Sequence, residues 1–158
     1  MTEEKRIYCV VAQTVQVPLI PQVLEQTKSI SQPPGRLAAQ VGHAVSILRE
    51  EMFKKQLLTR IKKGKKKYSV TLKKELSKEF KPITTIVLGA RDSFELNHVL
   101  NLLLIVGIET HPFYDTDQPD YGNPDLKVMT AIATEPVTKE DVIGILDYLP
   151  LWEPQPKR

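Results

Sequence analysis

The sequence has a single cysteine, Cys9, so no disulfide can close within the chain and no cysteine-based metal cluster can form. Cys9 lies inside the apolar run IYCVV and reads as a small buried hydrophobe. Aromatic residues are only 6% of the chain, and no apolar run approaches the roughly 20 residues that a membrane helix needs. Met1 to Arg6 lacks the basic-then-apolar layout of a secretory leader, so the expected address is cytoplasmic, with no membrane partner. Glycine occurs seven times, and Gly64-Lys65 runs on into further lysines rather than Ser or Thr, which excludes a Walker-type phosphate loop. No internal repeat is present. One further absence is local: from Lys54 to Lys74 there is no acidic residue at all.

What remains is 158 residues that are 41% hydrophobic and 26% charged, enough to bury one ordinary core but not two. The reading is one domain over 1–158, with a long loop at 18–34, a basic connector at 54–74 and a loose tail at 152–158. A net charge of +3 is too mild to imply a nucleic-acid partner by itself. Its distribution says more. Lys54, Lys55, Arg60, Lys62, Lys63, Lys65, Lys66 and Lys67, followed by Lys73 and Lys74, form a local positive field of the kind that attracts phosphate backbones. The alternative is a solvated connector whose lysines keep it soluble.

Ile7 to Val17 is rich in β-branched residues and starts with a near-continuous apolar run, which predicts a strand covered on both faces. Pro18 and Pro21 then interrupt, and residues 18–34 read as a long excursion with a helical turn around Gln22–Gln26. After Pro33-Pro34-Gly35 the spacing turns helical. Leu37, Val41, Ala44 and Leu48 form one apolar stripe that ends among the charges at Glu50–Lys55. A short helix is expected around 70–80, then a strand at 83–88. A helix capped by Ser93 follows, with Glu95 in its first turn and Gly107 as its stop. Strands at 108–114 and 127–134 come next. Thr138, with Asp141 three residues on, opens a last helix through Leu149. The alternation predicts an α/β layered domain.

The segment GRLAAQVGHAV at 35–45 also carries chemistry. On a helix Arg36, Gln40 and His43 share a face distinct from the apolar stripe. Arg36 sits in the first turn, where unpaired amides and the helix dipole favour an anion. Together they make a pocket suited to a phosphate or a developing oxyanion; the plainer account is a surface cation at Arg36 and a packing residue at His43.

That segment, opening a helix after a first strand, resembles the signature of the type 2 peptidyl-tRNA hydrolases: Gly-Lys, an aliphatic residue, Ala-Ala-Gln and a nearby His-Ala. The later elements fall in the same order. The resemblance implies a small mixed four-stranded sheet with helices on both faces, and hydrolysis of the ester between a peptide and the 3′ end of tRNA, without metal or organic cofactor. It also implies a homodimer, with tRNA as partner. In the family the position of Arg36 is a catalytic lysine. If that lysine must shed its proton, an arginine with a pKa above about 12 cannot replace it; if it acts as a fixed charge at the oxyanion, arginine can. The resemblance also gives Asp115 a role, as a water-orienting base, against the alternative of a carboxylate capping its own loop. Asp115-Thr116-Asp117 departs from the family's Asp-Ala-Gly. Asp117 and Asp120 lack the regular spacing of a calcium loop. Two classes stay open: a hydrolase, with Arg36, Gln40, His43 and Asp115 as its site and the lysines on tRNA, or a member of the fold acting as an RNA-binding or regulatory module.

Overall fold

The structure, a computed structural model, describes residues 3–20, 23–62, 83–116, 121 and 125–152; of the side chains at 19, 20, 23–26 and 62 nothing is said. The elements are β1 (Ile7–Ile20), β2 (Val23–Ser31), α1 (Pro34–Lys62), β3 (Thr85–Asp92), α2 (Ser93–Ile105), β4 (Thr110–Asp115) and β5 (Val128–Thr134), followed by a single 3-10 turn at Glu140–Val142.

Strand β1 is the axis of the sheet. Its first half pairs with β3 in parallel and, through Cys9, Val10 and Val11, with β5 antiparallel. Thr14 has partners in both β2 and β3, so β2 takes over the edge of β1 that β5 leaves. Strand β4 adds antiparallel to the far edge of β5. The core is therefore the expected mixed four-stranded sheet, extended by a fifth strand.

Side chains of β1 alternate between two apolar clusters, as the period of two demands. Tyr8, Val10 and Ala12 pack with Leu96, Val99 and Leu103 of α2. Ile7, Cys9 and Val11 pack with Leu37, Ala44 and Leu48 of α1. Helices thus cover both faces, and the apolar stripe expected on α1 is the stripe it buries.

Four expectations need correction. The long loop at 18–34, with its helical turn at 22–26, is overturned by strand: β1 runs to Ile20 and β2 spans Val23–Ser31, while residues 21 and 22 lie outside the described residues. Thr27, Ser29 and Gln16 cross-link that hairpin, with Gln16 Nε2 donating to Ser29 Oγ at 2.7 Å and Thr27 Oγ1 to Gln16 Oε1 at 3.2 Å. Among its described side chains β2 is polar and exposed apart from Ile30, so its composition imitates a loop. Pro18 is tolerated because β1 has by then left β3 and β5 behind, and the pairing slips between Pro18 and Ile20. The basic connector does not begin at 54: α1 runs on through Lys62, because Glu50, Glu51, Met52, Lys54 and Lys55 are good helix formers and Lys54 pairs back to Glu50 at 3.4 Å. The expected helix at 70–80 lies outside the described residues, as does most of the tail at 152–158.

The third correction concerns α2, whose N-cap is Asp92 rather than Ser93; the Asp92 carboxylate accepts from Glu95 N at 2.9 Å. Ser93 Oγ instead accepts from Gln16 N at 2.8 Å, fastening α2 to β1. Gly107, at φ +82, ends the helix as expected. The fourth is the last helix. Thr138 and Asp141 do exchange capping bonds, the backbone N–H of each donating to the other's side-chain oxygen, but only the 3-10 turn follows, since Gly144 sits at φ +81 and breaks the path. Among the described residues no helix is long and apolar enough to cross a membrane.

Two measurements check these assignments. The hydrogen bond from Glu95 N, first, and the Arg91 guanidinium beside it hold the Asp92 carboxyl below the usual aspartate range. Its contribution is therefore complete above an unfolded pKa of about 3.9 and is lost as pH falls through the lower folded value. Asp92→Ala is expected to cost about 1 kcal/mol in urea denaturation at neutral pH, with the deficit shrinking as pH falls below about 3.9. Burial pushes the Cys9 thiol up to about 12. An alkylating reagent at neutral pH should accordingly modify Cys9 only once denaturant has opened the sheet.

Candidate functional site

Strand β4 turns His111, Phe113 and Asp115 toward the face covered by α1, and α1 meets them in reverse order. At the N-terminal end of α1, Gln40 Nε2 donates to Asp115 Oδ2 at 2.7 Å. One turn on, the His43 ring stacks on Phe113 with centroids 5.4 Å apart and planes inclined by 11°. Further along, Lys55 bonds to Glu109 and Glu135, which flank His111. Three of the expected site residues, Gln40, His43 and Asp115, therefore lie along one seam.

Gln40 is buried, and its carboxamide is satisfied at both ends: Thr130 Oγ1 donates to Gln40 Oε1 at 3.0 Å. A buried amide left half-bonded would cost the desolvation of its free end, so the pair fixes the depth and rotation of α1. The amide orientation follows from its neighbours, since an ionised Asp115 must face the NH2 rather than the oxygen. Thr130 reaches this position through a β-bulge. Tyr114 pairs with Met129 and Phe113 with Ala131, which leaves Thr130 as the extra residue of β5. A bulge re-aims one side chain without disturbing the rest of the ladder.

Asp115 is held from three sides. Besides Gln40, Tyr121 OH donates to Oδ2 at 3.3 Å, and Thr116 N donates to Oδ1 at 3.0 Å. Tyr121 is itself buried, its ring packed into the cluster beneath α2. The carboxylate is thus half-buried at the end of β4, oriented by a helix residue and by the aromatic Tyr121. Arg36, half-buried, precedes Gln40 by one turn on the same helix. His43 is exposed apart from its stacked ring, which agrees with a packing role.

The expected RNA-facing residues divide. Lys54 is exposed and bonded to Glu51 and Glu50, which raise its pKa above the ordinary lysine value. Lys55 is directed at β4 and β5, reaching Glu135 at 2.9 Å. Arg60 is half-buried on α1, and Lys62 ends it. Lys63, Lys65, Lys66 and Lys67 lie outside the described residues, as do Asp117 and Asp120.

Thr130 and Tyr121 escaped the sequence reading. Thr130 is a hydroxyl in the otherwise apolar strand core VMTAIA, and Tyr121 is an aromatic in an Asp/Pro/Gly-rich loop. Each breaks the character of its segment, which is the signal that could have found it. No protein-family model matches the chain, and no curated protein matches it.

Thr130→Val keeps the shape and removes the donor to Gln40, stranding a buried carbonyl oxygen. The expected loss is about 1–3 kcal/mol in urea denaturation. A change within experimental error would show that Gln40 Oε1 is not satisfied by this hydroxyl.

Proposed function

We propose that this chain is a hydrolase of the ester between a peptide and the 3′ end of tRNA. The observation that carries this reading is the 2.7 Å hydrogen bond from Gln40 Nε2 to Asp115 Oδ2, which joins the helix motif at 35–45 to the aspartate ending β4. These are the two places where the resemblance to type 2 peptidyl-tRNA hydrolases puts chemistry. Asp115, oriented by Gln40 and Tyr121, takes the proton of a water that attacks the ester carbonyl and returns it to the tRNA 3′ oxygen as the acyl C–O bond breaks. Arg36, in the first turn of α1, supplies fixed positive charge to the tetrahedral oxyanion, with the helix dipole adding to it. Arginine cannot act there as a base, so the proton step rests on Asp115 alone. The basic stretch at 54–74 faces tRNA phosphates, chiefly through the residues after Lys55, whose own charge is engaged by Glu109 and Glu135. Residues Leu104, Ile105 and Val106, exposed at the end of α2, offer apolar surface for a homodimer.

One observation favours a second reading, a non-hydrolytic RNA-binding or regulatory module. Asp115 accepts from Gln40, Tyr121 and the next backbone amide, which is how a carboxylate that only pins its loop behaves.

Release of peptide from an N-blocked aminoacyl-tRNA separates the two. The hydrolase should turn over, Asp115→Ala should lose roughly 10²–10⁴ in rate, and Arg36→Lys should retain activity. Turnover gained only in Arg36→Lys means that the fixed charge is not enough. Binding of tRNA without turnover in any form favours the module.

A further inference from the structure

At the other end of the α1–β4 seam, three side chains with metal-ligating atoms converge. Glu109, His111 and Glu135 each bring one such atom, and all three lie within 4.8 Å of one another. Glu109 and Glu135 are neighbours across the β4–β5 ladder, with Glu135 N donating to Glu109 O at 2.9 Å, so two like charges stand directly opposite. Such a pair is unfavourable unless a cation sits between its carboxylates. In this structure the ammonium of Lys55 takes that place, bonded to both. His111 lies two residues along β4 from Glu109, on the same face. Its Nε2 is buried and, among the described residues, has no hydrogen-bond partner; it stands 3.8 Å from Glu135 Oε2. A buried imidazole nitrogen with no partner is costly, and a metal ion would satisfy it.

We propose that Glu109, His111 and Glu135 bind one divalent transition-metal ion of the zinc type, in exchange for the Lys55 ammonium. One imidazole and two carboxylates suit zinc better than calcium or magnesium, which favour all-oxygen shells. Ligand atoms of a tetrahedral zinc site stand about 3.4 Å apart, as bond lengths of roughly 2.0–2.1 Å require. Closure from at most 4.8 Å is within the reach of side-chain rotation, for which Glu109, 61% exposed, has room. That exposure also leaves the fourth coordination position to water. Lys55 is on a flexible stem and 46% exposed, so it can swing into solvent when displaced. The two carboxylates and a neutral imidazole carry −2 together, matched by the ion alone. The site is separate from Asp115 and does not rest on the hydrolase reading. Bound metal would clamp the ends of β4 and β5 and release Lys55 to solvent.

The test is calorimetric titration of zinc chloride into the full chain and its Lys55→Met, His111→Ala and Glu135→Gln variants. The parent should bind one ion per chain. His111→Ala and Glu135→Gln should each weaken binding at least tenfold, since even outer-shell partners are worth about 10–100-fold. Lys55→Met should bind more tightly than the parent, having no ammonium to displace, and zinc should raise its melting temperature. Either ligand variant suffices if the other fails to fold. Absence of saturable binding in both the parent and Lys55→Met overturns the site, as does binding unchanged by His111→Ala and Glu135→Gln. An affinity unmoved by Lys55→Met overturns the exchange.

Discussion

The carboxamide of Gln40 is the constraint on which the functional half of the molecule depends. It is buried, so both its ends must find partners, and the partners come from two strands: Thr130 of β5 and Asp115 of β4. Satisfying them sets the rotation of α1 about its axis. Once that is set, His43 meets Phe113 and Lys55 meets Glu109 and Glu135 without further choice, because a 29-residue helix carries its register rigidly along the strand beside it. A hydrogen bond at one end of the seam thereby positions an ion cluster at the other.

That arrangement requires a sheet that does not move beneath the helix. Strand β1 provides it, with Cys9, Val10, Val11, Ala12 and Val15 removed from solvent and one side-chain set on each face. Large-to-small changes there would open cavities between layers; in the hairpin of β1 and β2, Gln16, Thr27 and Ser29 form polar cross-links while Val15 and Val17 lie in the core. The bulge at Thr130 is an irregularity that the sheet accepts beside the site. It serves the seam at the expense of a ladder position.

Much of this was legible in the residues. The apolar stripe of α1, the buried β1, the Gly107 stop and the α/β order follow from periodicities and from local stereochemistry, which act over a few residues. Gln40, His43 and Asp115 were singled out from a motif and a strand end, and they do lie along one seam. Strand β2 was not legible, because a polar strand declares itself only through its pairing with β1. The continuation of α1 to Lys62 was hidden for a related reason: charge density suggests a connector, while helix propensity and ion pairs made across to β4 and β5 hold it helical. Thr138 and Asp141 form the expected capping contacts, yet Gly144 decides the outcome a turn later.

By itself the sequence determined what local chemistry can determine: which stretches bury which faces, where α2 stops, and which side chains could do chemistry. Tertiary structure alone decided which of those side chains meet. The Gln40–Thr130 bond spans 90 positions and the Gln40–Asp115 bond 75, and Glu109 and Glu135 face each other only because β4 and β5 run antiparallel. Nothing in a periodicity of two or of 3.6 reaches so far. Such contacts are fixed by burial of a polar group that must be satisfied, and that demand exists only once the helix has docked on the sheet.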